Sequence, residues 1–521
     1  MIPQTQPTSQ GFAVAMQPNG GIGIMPVQMQ VSQKITLGPI IGKVTYDSAR
    51  VLVEYAYNAT ETLSLIAPNG SKVDCQRQVI ANRPVVFEFR GLSPKTIYKV
   101  VSASPFPAGD SSFRTLDTKA APTNFAFVSC NSRKTYEKYT DERNLWSDVS
   151  RRAVNKELDY IIHTGDQVYM DYYNNIYDRC MELIKKTPQN AWSQIVEEVR
   201  EILRAECRLT FGGKLQAIAM ANSPNIMQYD DHDARDDLGF RKEDKDPSTP
   251  DGFYVQQARW VYYEYQRQLR EDIDFSKLDS IKYEFHAHIL NNIGIFILDY
   301  RGKNSWLRAP ETGQLGTLQW EALKRVFKPH GGDFDKCELA ILVSPLAFVL
   351  FSQGWTGIIG KFIDDARENW AYNNQKEQIE LMNLLDDWKI AKKGKRDLFI
   401  VAGDVHMSGH TDIFRDGRRA FGQVVTSGIC QEPPADYTMI FSKIAEGTSQ
   451  KLQDGWTFDH HGWSLRNNYA IVSVKSLAMT PVYTVRTITT ELKGAIKEEP
   501  IVEYSGKIVK QAKSNGCCTI F

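Results

Sequence analysis

From Ile35 to Thr115 the chain alternates short apolar runs with turn residues. Val51-Leu52-Val53-Glu54-Tyr55 and Pro84-Val85-Val86-Phe87-Glu88-Phe89 have the β-branched and aromatic make-up of strands, and Pro68-Asn69-Gly70 has the chemistry of a turn. The pattern predicts a small β-sandwich over residues 32–118. After Ala120-Ala121-Pro122 the grammar changes. Phe125–Val128, Tyr160–Ile162, Asn225–Tyr229, Ile293–Leu298, Ala340–Val343 and Leu398–Val401 read as short buried strands. A polar, helix-compatible run ends near Glu157. Trp192, Ile195, Val196, Val199, Ile202 and Leu203 recur at helical spacing, and a second helix is centred on Gln378–Trp388. Strands return at Tyr469–Val474 and Val482–Ile488, and no internal repeat is found. Strands alternating with helices over 119–490 predict an α/β domain.

Leu339–Gly360 is uncharged and about long enough to cross a bilayer. Pro345 and the turn-rich Ser352–Gly357 argue instead for a buried strand, Leu339–Val343, followed by an apolar loop. The Gln-, Pro- and Gly-rich residues 1–31 predict a disordered tail, and 491–521 a second tail. No charge precedes Lys34, so the basic start of a secretory signal is missing. Lys+Arg and Asp+Glu are 62 each, which leaves no global field to draw nucleic acid. Eight scattered cysteines make no disulfide scaffold and predict a reducing, cytoplasmic setting. No protein partner is inferable.

Four predicted strands end in clusters of metal-type ligands. They are Ser129-Cys130-Asn131, His163 through Asp166 and Tyr169 to Asp171, Asp230-Asp231-His232-Asp233-Ala234-Arg235, and Gly403-Asp404-Val405-His406. In open α/β sheets ligands bind beyond the carboxyl ends of strands, so all four can converge on one crevice. One such cluster alone is more often a cap or turn; four together are hard to explain that way. Carboxylates, imidazole, phenol and thiol suit a transition metal better than a pure Ca²⁺ or Mg²⁺ cage. Phenolate and thiolate both need a strongly Lewis-acidic partner, which makes Fe³⁺ the natural guess, with Asp166 bridging to a second, divalent ion.

Gly165-Asp166-Gln167-Val168-Tyr169 resembles the GDxxY motif of purple acid phosphatases. The whole series resembles the PhoD-type metallophosphatases of the calcineurin-like superfamily, with Ser129-Cys130, His163 to Asp171, Asp230 to Asp233, Asp299-Tyr300-Arg301 and Gly403 to His406 in order. The resemblance covers roughly Ile35 to Val474. It implies a four-layer α/β/β/α metallophosphoesterase sandwich behind a fibronectin III- or Ig-like β-sandwich, whose corner Leu92-Ser93-Pro94…Tyr98 resembles. It implies hydrolysis of a phosphate monoester by a metal-bound hydroxide. Cys130, Asp166, Tyr169, Asp231, Asp404 and His406 match metal-ligand positions, and Asp230 and Asp231 can exchange roles. His232 matches the catalytic histidine, with Asp233 as its orienting carboxylate. Arg301, with Asn131 and Arg235, would neutralise the phosphate. The metals implied are Fe³⁺ plus a divalent ion, Ca²⁺ ahead of Mg²⁺, Mn²⁺ or Zn²⁺. Phosphodiester hydrolysis, phospholipids included, and a catalytically silent membrane-tethered binder remain alternatives. Segments 172–190, 241–255 and 431–460 read as pocket-wall loops that decide substrate.

His163 reads as a packing residue, His460 and His461 fall outside the site, and Trp355 and Trp456 fill either the pocket wall or the core. The last residues, Cys517 and Cys518-Thr519-Ile520-Phe521, have the Cys-a-a-X form read by prenyltransferases, with Lys507, Lys510 and Lys513 upstream. Two lipid signals would anchor the chain to the cytosolic face of a membrane.

Overall fold

In a computed structural model the described residues are 12–16, 22–26, 34–136, 140, 143–171, 176–239, 241–302, 313–352, 370, 374–431, 449–477, 481–490 and 496–505. The architecture is mixed α/β with several sheets. Near the N-terminus Ile35–Val44, Ser48–Tyr55 and Pro84–Arg90 form one antiparallel sheet. Ala59–Ile66, Lys72–Val79, Ile97–Ser102 and Ser111–Arg114 form another. Val51, Val53 and Phe87 from the first share one buried core with Leu63, Leu65, Tyr98 and Phe113 from the second. Tyr98 OH accepts a hydrogen bond from Ser93 N at 2.9 Å, closing the corner that the sequence suggests. Buried Glu54 ties this region to the helices that follow, accepting from Arg208 Nη1 at 3.1 Å and from Tyr265 OH.

Parallel strands are buried on both faces and therefore read as unbroken apolar runs. Thr123–Val128, Tyr160–His163 and Asn225–Met227 pair in parallel, and antiparallel Asn468–Ser476, Val482–Thr490 and Ile496–Ser505 extend that six-stranded sheet. An eight-stranded sheet is built around parallel Ile293–Ile297, Leu339–Ser344, Asp397–Ala402 and Arg418–Thr426. Side chains alternate along each strand. Phe125, Phe127 and Ile162 face Ile295, Ile341, Val343 and Val401 in one shared core. The intervening Ala126, Val128 and Ile161 pack on Leu145, Trp146 and Val149 of helix Leu145–Val154 and on Leu215 and Ala219 of helix Lys214–Asn222. Across the molecule, Leu342, Leu398 and Ile400 pack on Leu323 and Val326 of helix Gly316–Val326 and on Met382, Leu385 and Trp388 of helix Gln375–Ile390. Each such side chain stabilises the fold by about 1.5–3 kcal/mol. Phe127→Ala, which opens a cavity between the sheets, costs about 3–5 kcal/mol.

The structure differs from the sequence reading at several points. Within residues 1–31, Phe12–Met16 pairs antiparallel with Ile22–Pro26; composition favours disorder there, but the two five-residue runs are mostly apolar. Ile496–Ser505, inside the expected second tail, is an edge strand, with Pro500 next to a register shift where a missing donor is tolerated. Of the segments read as wall loops, 172–190 and 241–255 are largely helical where described, as Ile176–Lys186, Lys242–Lys245 and the start of Pro250–Tyr265. Of 431–460, residues 432–448 lie outside the described residues and the rest includes strands Gln450–Lys451 and Trp456–Ser464. The helix read as Trp192–Leu203 continues to Phe211, burying Val199, Leu203, Cys207 and Phe211 at successive i+4 positions. Trp456 is core. Trp355, Cys517 and Cys518 lie outside the described residues. Among the described residues no helix is long and apolar enough to cross a membrane.

Candidate metal centre

The four clusters do converge. Three follow the parallel strands of the six-stranded sheet, and the fourth follows Asp397–Ala402 of the other sheet. Each chain must turn sharply off its strand to aim a side chain back at the sheet ends. Cys130, Asp166, Asp404 and His406 accordingly hold φ of +53°, +56°, +74° and +53°. Non-glycine residues avoid this region, at about 1–3 kcal/mol each, unless their surroundings over-determine it. Here Cys130 N donates to Gly165 O at 3.3 Å, Asn131 N to Asp166 O at 2.9 Å and His406 N to Ser427 Oγ at 3.0 Å. Gly165 is required: a Cβ there would lie 2.7 Å from Asp230 Oδ2.

Ligand atoms of Cys130, Asp166 and His406 lie within 4.8 Å of one another, and so do those of Asp166, Asp230, Asp231 and Asp404. Tyr169 OH joins the first group, 3.3 Å from Asp166 Oδ2 and 3.3 Å from His406 Nε2. Asp166 belongs to both. All six residues read as ligands are therefore brought together, and Asp230 stands with them. Among the described residues, buried oxygens Asp166 Oδ1, Asp230 Oδ2 and Asp231 Oδ1 accept no hydrogen bond, although Arg301 Nη2 lies 3.4 Å from the last. Buried carboxylates without partners are strongly disfavoured, so the donor set fits cations.

Electrostatics says the same. Burial, then Cys130, pushes the Asp166 carboxyl well above the ordinary range. Burial, then Asp230 and Asp231, does so for Asp404. Asp230 is pushed up to about 6 by burial and Asp231, with Arg301 restraining the rise. Burial opposes ionisation of Asp231, but Arg301 and His232 outweigh it and hold this carboxyl below its usual value. Burial also raises the Cys130 thiol and the Tyr169 phenol. Without a cation these two stay protonated.

His232 stacks on the Tyr169 ring, with centroids 4.3 Å apart. Its Nδ1 lies 2.9 Å from Asp171 Oδ1. Burial works against its protonation, but Asp166, Asp171 and Asp231 together hold its pKa well above the ordinary value. The carboxylate hydrogen-bonded to His232 is thus Asp171, not Asp233. Asp233 turns into the protein, accepting from Val168 N at 3.3 Å, Gln266 Nε2 at 2.9 Å and Asp230 N at 3.1 Å. Adjacent residues point apart, so the neighbour in sequence does not become the neighbour in space. Asp236 Oδ1, 3.9 Å from His232 Nε2, joins Asp231 and His232 in a third, more exposed group.

The residues read as phosphate-binding each have protein partners. Arg301 has a fully buried side chain and gives Nε to Asp230 Oδ1 at 2.8 Å and Nη1 to Leu238 O at 3.0 Å. It is the counter-ion of the acids. Asp299 fixes its backbone, accepting from Arg301 N at 3.0 Å. Arg235 pairs with Asp244 and donates to Asp236 O. Asn131 donates to Gln216 Oε1 at 2.9 Å and accepts from Trp146 Nε1 at 2.9 Å. His163 is buried against Asn225 Oδ1 at 3.0 Å, and His460 bonds Thr411 Oγ1 and Leu350 O, both as packing residues. Sequence reasoning assigned no role to Asp171, although it closes the second box, or to Ser427, 2.9 Å from Cys130 Sγ.

Fold and site together define a class, a mixed α/β protein whose buried carboxylate, thiol, phenol and imidazole cluster calls for metal ions. The family model described as PhoD-like phosphatase matches residues 125–468, and the chain belongs to that family of metal-dependent phosphoesterases. A solved structure titled "Structure of PhoD" is similar over 93% of this chain and 93% of its own, with a TM-score of 0.65 and 13% identity, a likeness of fold. No curated protein matches.

Proposed function

We propose that this chain hydrolyses phosphate monoesters at the centre formed by Cys130, Asp166, Tyr169, Asp230, Asp231, Asp404 and His406. The fold reading that goes with it is a four-layer α/β/β/α sandwich behind a fibronectin III-like domain, supported by the two cores on either side of each central sheet. The observation that carries the proposal is the sharing of Asp166 between a mixed donor group and an all-carboxylate group. Thiol, phenol and imidazole favour Fe³⁺ in the first, and hard carboxylates favour a divalent ion, Ca²⁺ first, in the second. Bound cations supply Lewis acidity toward water and phosphoryl oxygen. The residues of the chain do the rest. Arg301 keeps Asp230 and Asp231 ionised and in place. Asp171 fixes the His232 ring through Nδ1, leaving Nε2 to deliver a proton to the leaving oxygen. Gly165 lets the Asp166 turn approach Asp230.

Elemental analysis of the purified protein, beside hydrolysis of nitrophenyl and bis-nitrophenyl phosphate, tests this reading. Iron plus a divalent metal with faster monoester turnover is the expected result. Tyr169→Phe should remove the visible absorbance and lower turnover by about 100-fold, as the loss of one metal-held contact implies. Faster diester turnover would replace the monoester reading, and absence of metal and hydrolysis after reconstitution would overturn both.

A further inference from the structure

Sulfur and histidine of the mixed donor group come from different sheets. Cys130 follows a strand of the six-stranded sheet, and His406 follows one of the eight-stranded sheet. Between them sits Ser427, just past strand Arg418–Thr426 and wholly buried. Its Oγ is 2.9 Å from Cys130 Sγ and accepts from His406 N at 3.0 Å. A hydroxyl has one proton and two lone pairs. His406 N–H occupies a lone pair, which leaves the proton free to point at sulfur. A thiolate has no proton to give, so toward an ionised Cys130 the serine is the donor.

The serine is itself held. Asn468 Oδ1 accepts from Ser427 N at 3.0 Å and from Thr426 Oγ1 at 3.1 Å, while Asn468 Nδ2 donates to Ser427 O. Both backbone groups of one residue are thus clamped by one side-chain amide. Ile429 N also donates to Ser129 O at 3.0 Å, locking the two loops together. Ser129 Oγ at 3.3 Å and the Tyr169 phenol also neighbour the sulfur, but Ser129 Oγ faces Thr426 O at 3.4 Å as well, and Tyr169 is itself read as a ligand. Ser427 has the shorter contact and, toward an ionised Cys130, is the donor.

We propose that Ser427 is a positioning residue that donates to the Cys130 thiolate while holding the His406 backbone, so that it sets both the spacing of these two ligands and the electron density on sulfur. Hydrogen bonds to a ligating sulfur draw charge from it and tune the metal it serves. Loss of a partner one step behind a ligand typically lowers metal affinity about 10- to 100-fold. The inference rests on the reading of Cys130 as a ligand.

The test uses the full chain, stripped by chelator and titrated with cobalt(II) chloride, whose thiolate-to-metal absorption band reports sulfur ligation whatever metal is native. Unaltered protein should show the band, and Cys130→Ser should lose it. Ser427→Ala should move the band to longer wavelength and weaken cobalt binding about 10- to 100-fold, and Ser427→Thr, which restores the hydroxyl, should reverse both. Ser427→Gly, which keeps the backbone bonds to Asn468, replaces the alanine variant if that one does not fold. A thiolate band and affinity unchanged in Ser427→Ala or Ser427→Gly would overturn the role of Ser427 while leaving Cys130 a ligand. No thiolate band in the unaltered protein would overturn the ligand reading and, with it, this inference.

Discussion

On one side of Asp166 stand Cys130, Tyr169 and His406; on the other stand Asp230, Asp231 and Asp404. The carboxylate side carries its own counter-charge, because Arg301 reaches both Asp230 and Asp231. The mixed side holds a thiol and a phenol that are neutral while protonated, and its sulfur meets hydroxyls rather than a guanidinium. Arg301 lets Asp230 and Asp231 carry charge before any ion arrives, whereas the thiol and phenol become charged only by giving up protons to an ion. The difference teaches that the two halves offer donors of different hardness, with Asp166 as the one residue common to both.

The strongest way to break the comparison is Asp166→Ala. Losing the shared carboxylate should empty both halves and lower kcat/KM by about 10⁴-fold, close to 5.5 kcal/mol in the barrier. One metal retained at full occupancy by elemental analysis would refute the sharing. Arg301→Met touches the carboxylate half alone. Removing one partner of a buried charged cluster should destabilise metal-free protein by about 3–5 kcal/mol, read by urea unfolding, with much of the loss recovered when Ca²⁺ is added. Equal loss with and without Ca²⁺ would mean that the cation does not replace the guanidinium charge.

His232→Asn leaves both halves intact and should cut kcat by about 10²- to 10³-fold with metal content unchanged; Asp171→Asn should follow it with a smaller loss. The gentlest effect separates metal loss from acid unfolding. Burial lowers His163 and His460 to about 4 and His410 to about 3, against 6.5 in the unfolded chain. The unfolded state therefore binds protons first as pH falls. Their contribution is complete above pH 6.5 and is lost toward pH 4, at up to about 1.4 kcal/mol per unit for each histidine. Asp166, Asp230 and Asp404 pull the other way in metal-free protein. The unfolding midpoint should therefore fall more, or rise less, between pH 7 and 5 in the unaltered protein than in a His163→Gln variant, and an identical shift in both would contradict the histidine contribution.

Much of the centre was legible because ligands at strand ends appear as short polar boxes after apolar runs, as at Cys130, Asp166 and Asp404. Such boxes do not say where each side chain points. Asp233 looked like the partner of His232 but caps Asp230 N and Val168 N, and Asp171, sixty-one positions away, holds the imidazole. The charge of Arg301 was visible in the sequence, whereas its burial against Asp230 was not. Ser427 carried no signal at all, since a serine before a glycine is ordinary turn chemistry. The edge strand Ile496–Ser505 was missed because its charges hide the alternation of a strand whose pairing comes from Val482–Thr490.

The sequence by itself determined the strand–helix alternation, the four boxes and the kinds of atom available to a metal, because period and residue type are local properties. The tertiary structure alone decided which carboxylate is shared, which aspartate holds His232, and that Arg301 pairs with Asp230 and Asp231. Those depend on distances of a few ångströms between residues far apart in the chain, set where two sheets pack face to face and their loops turn through the left-handed backbone region.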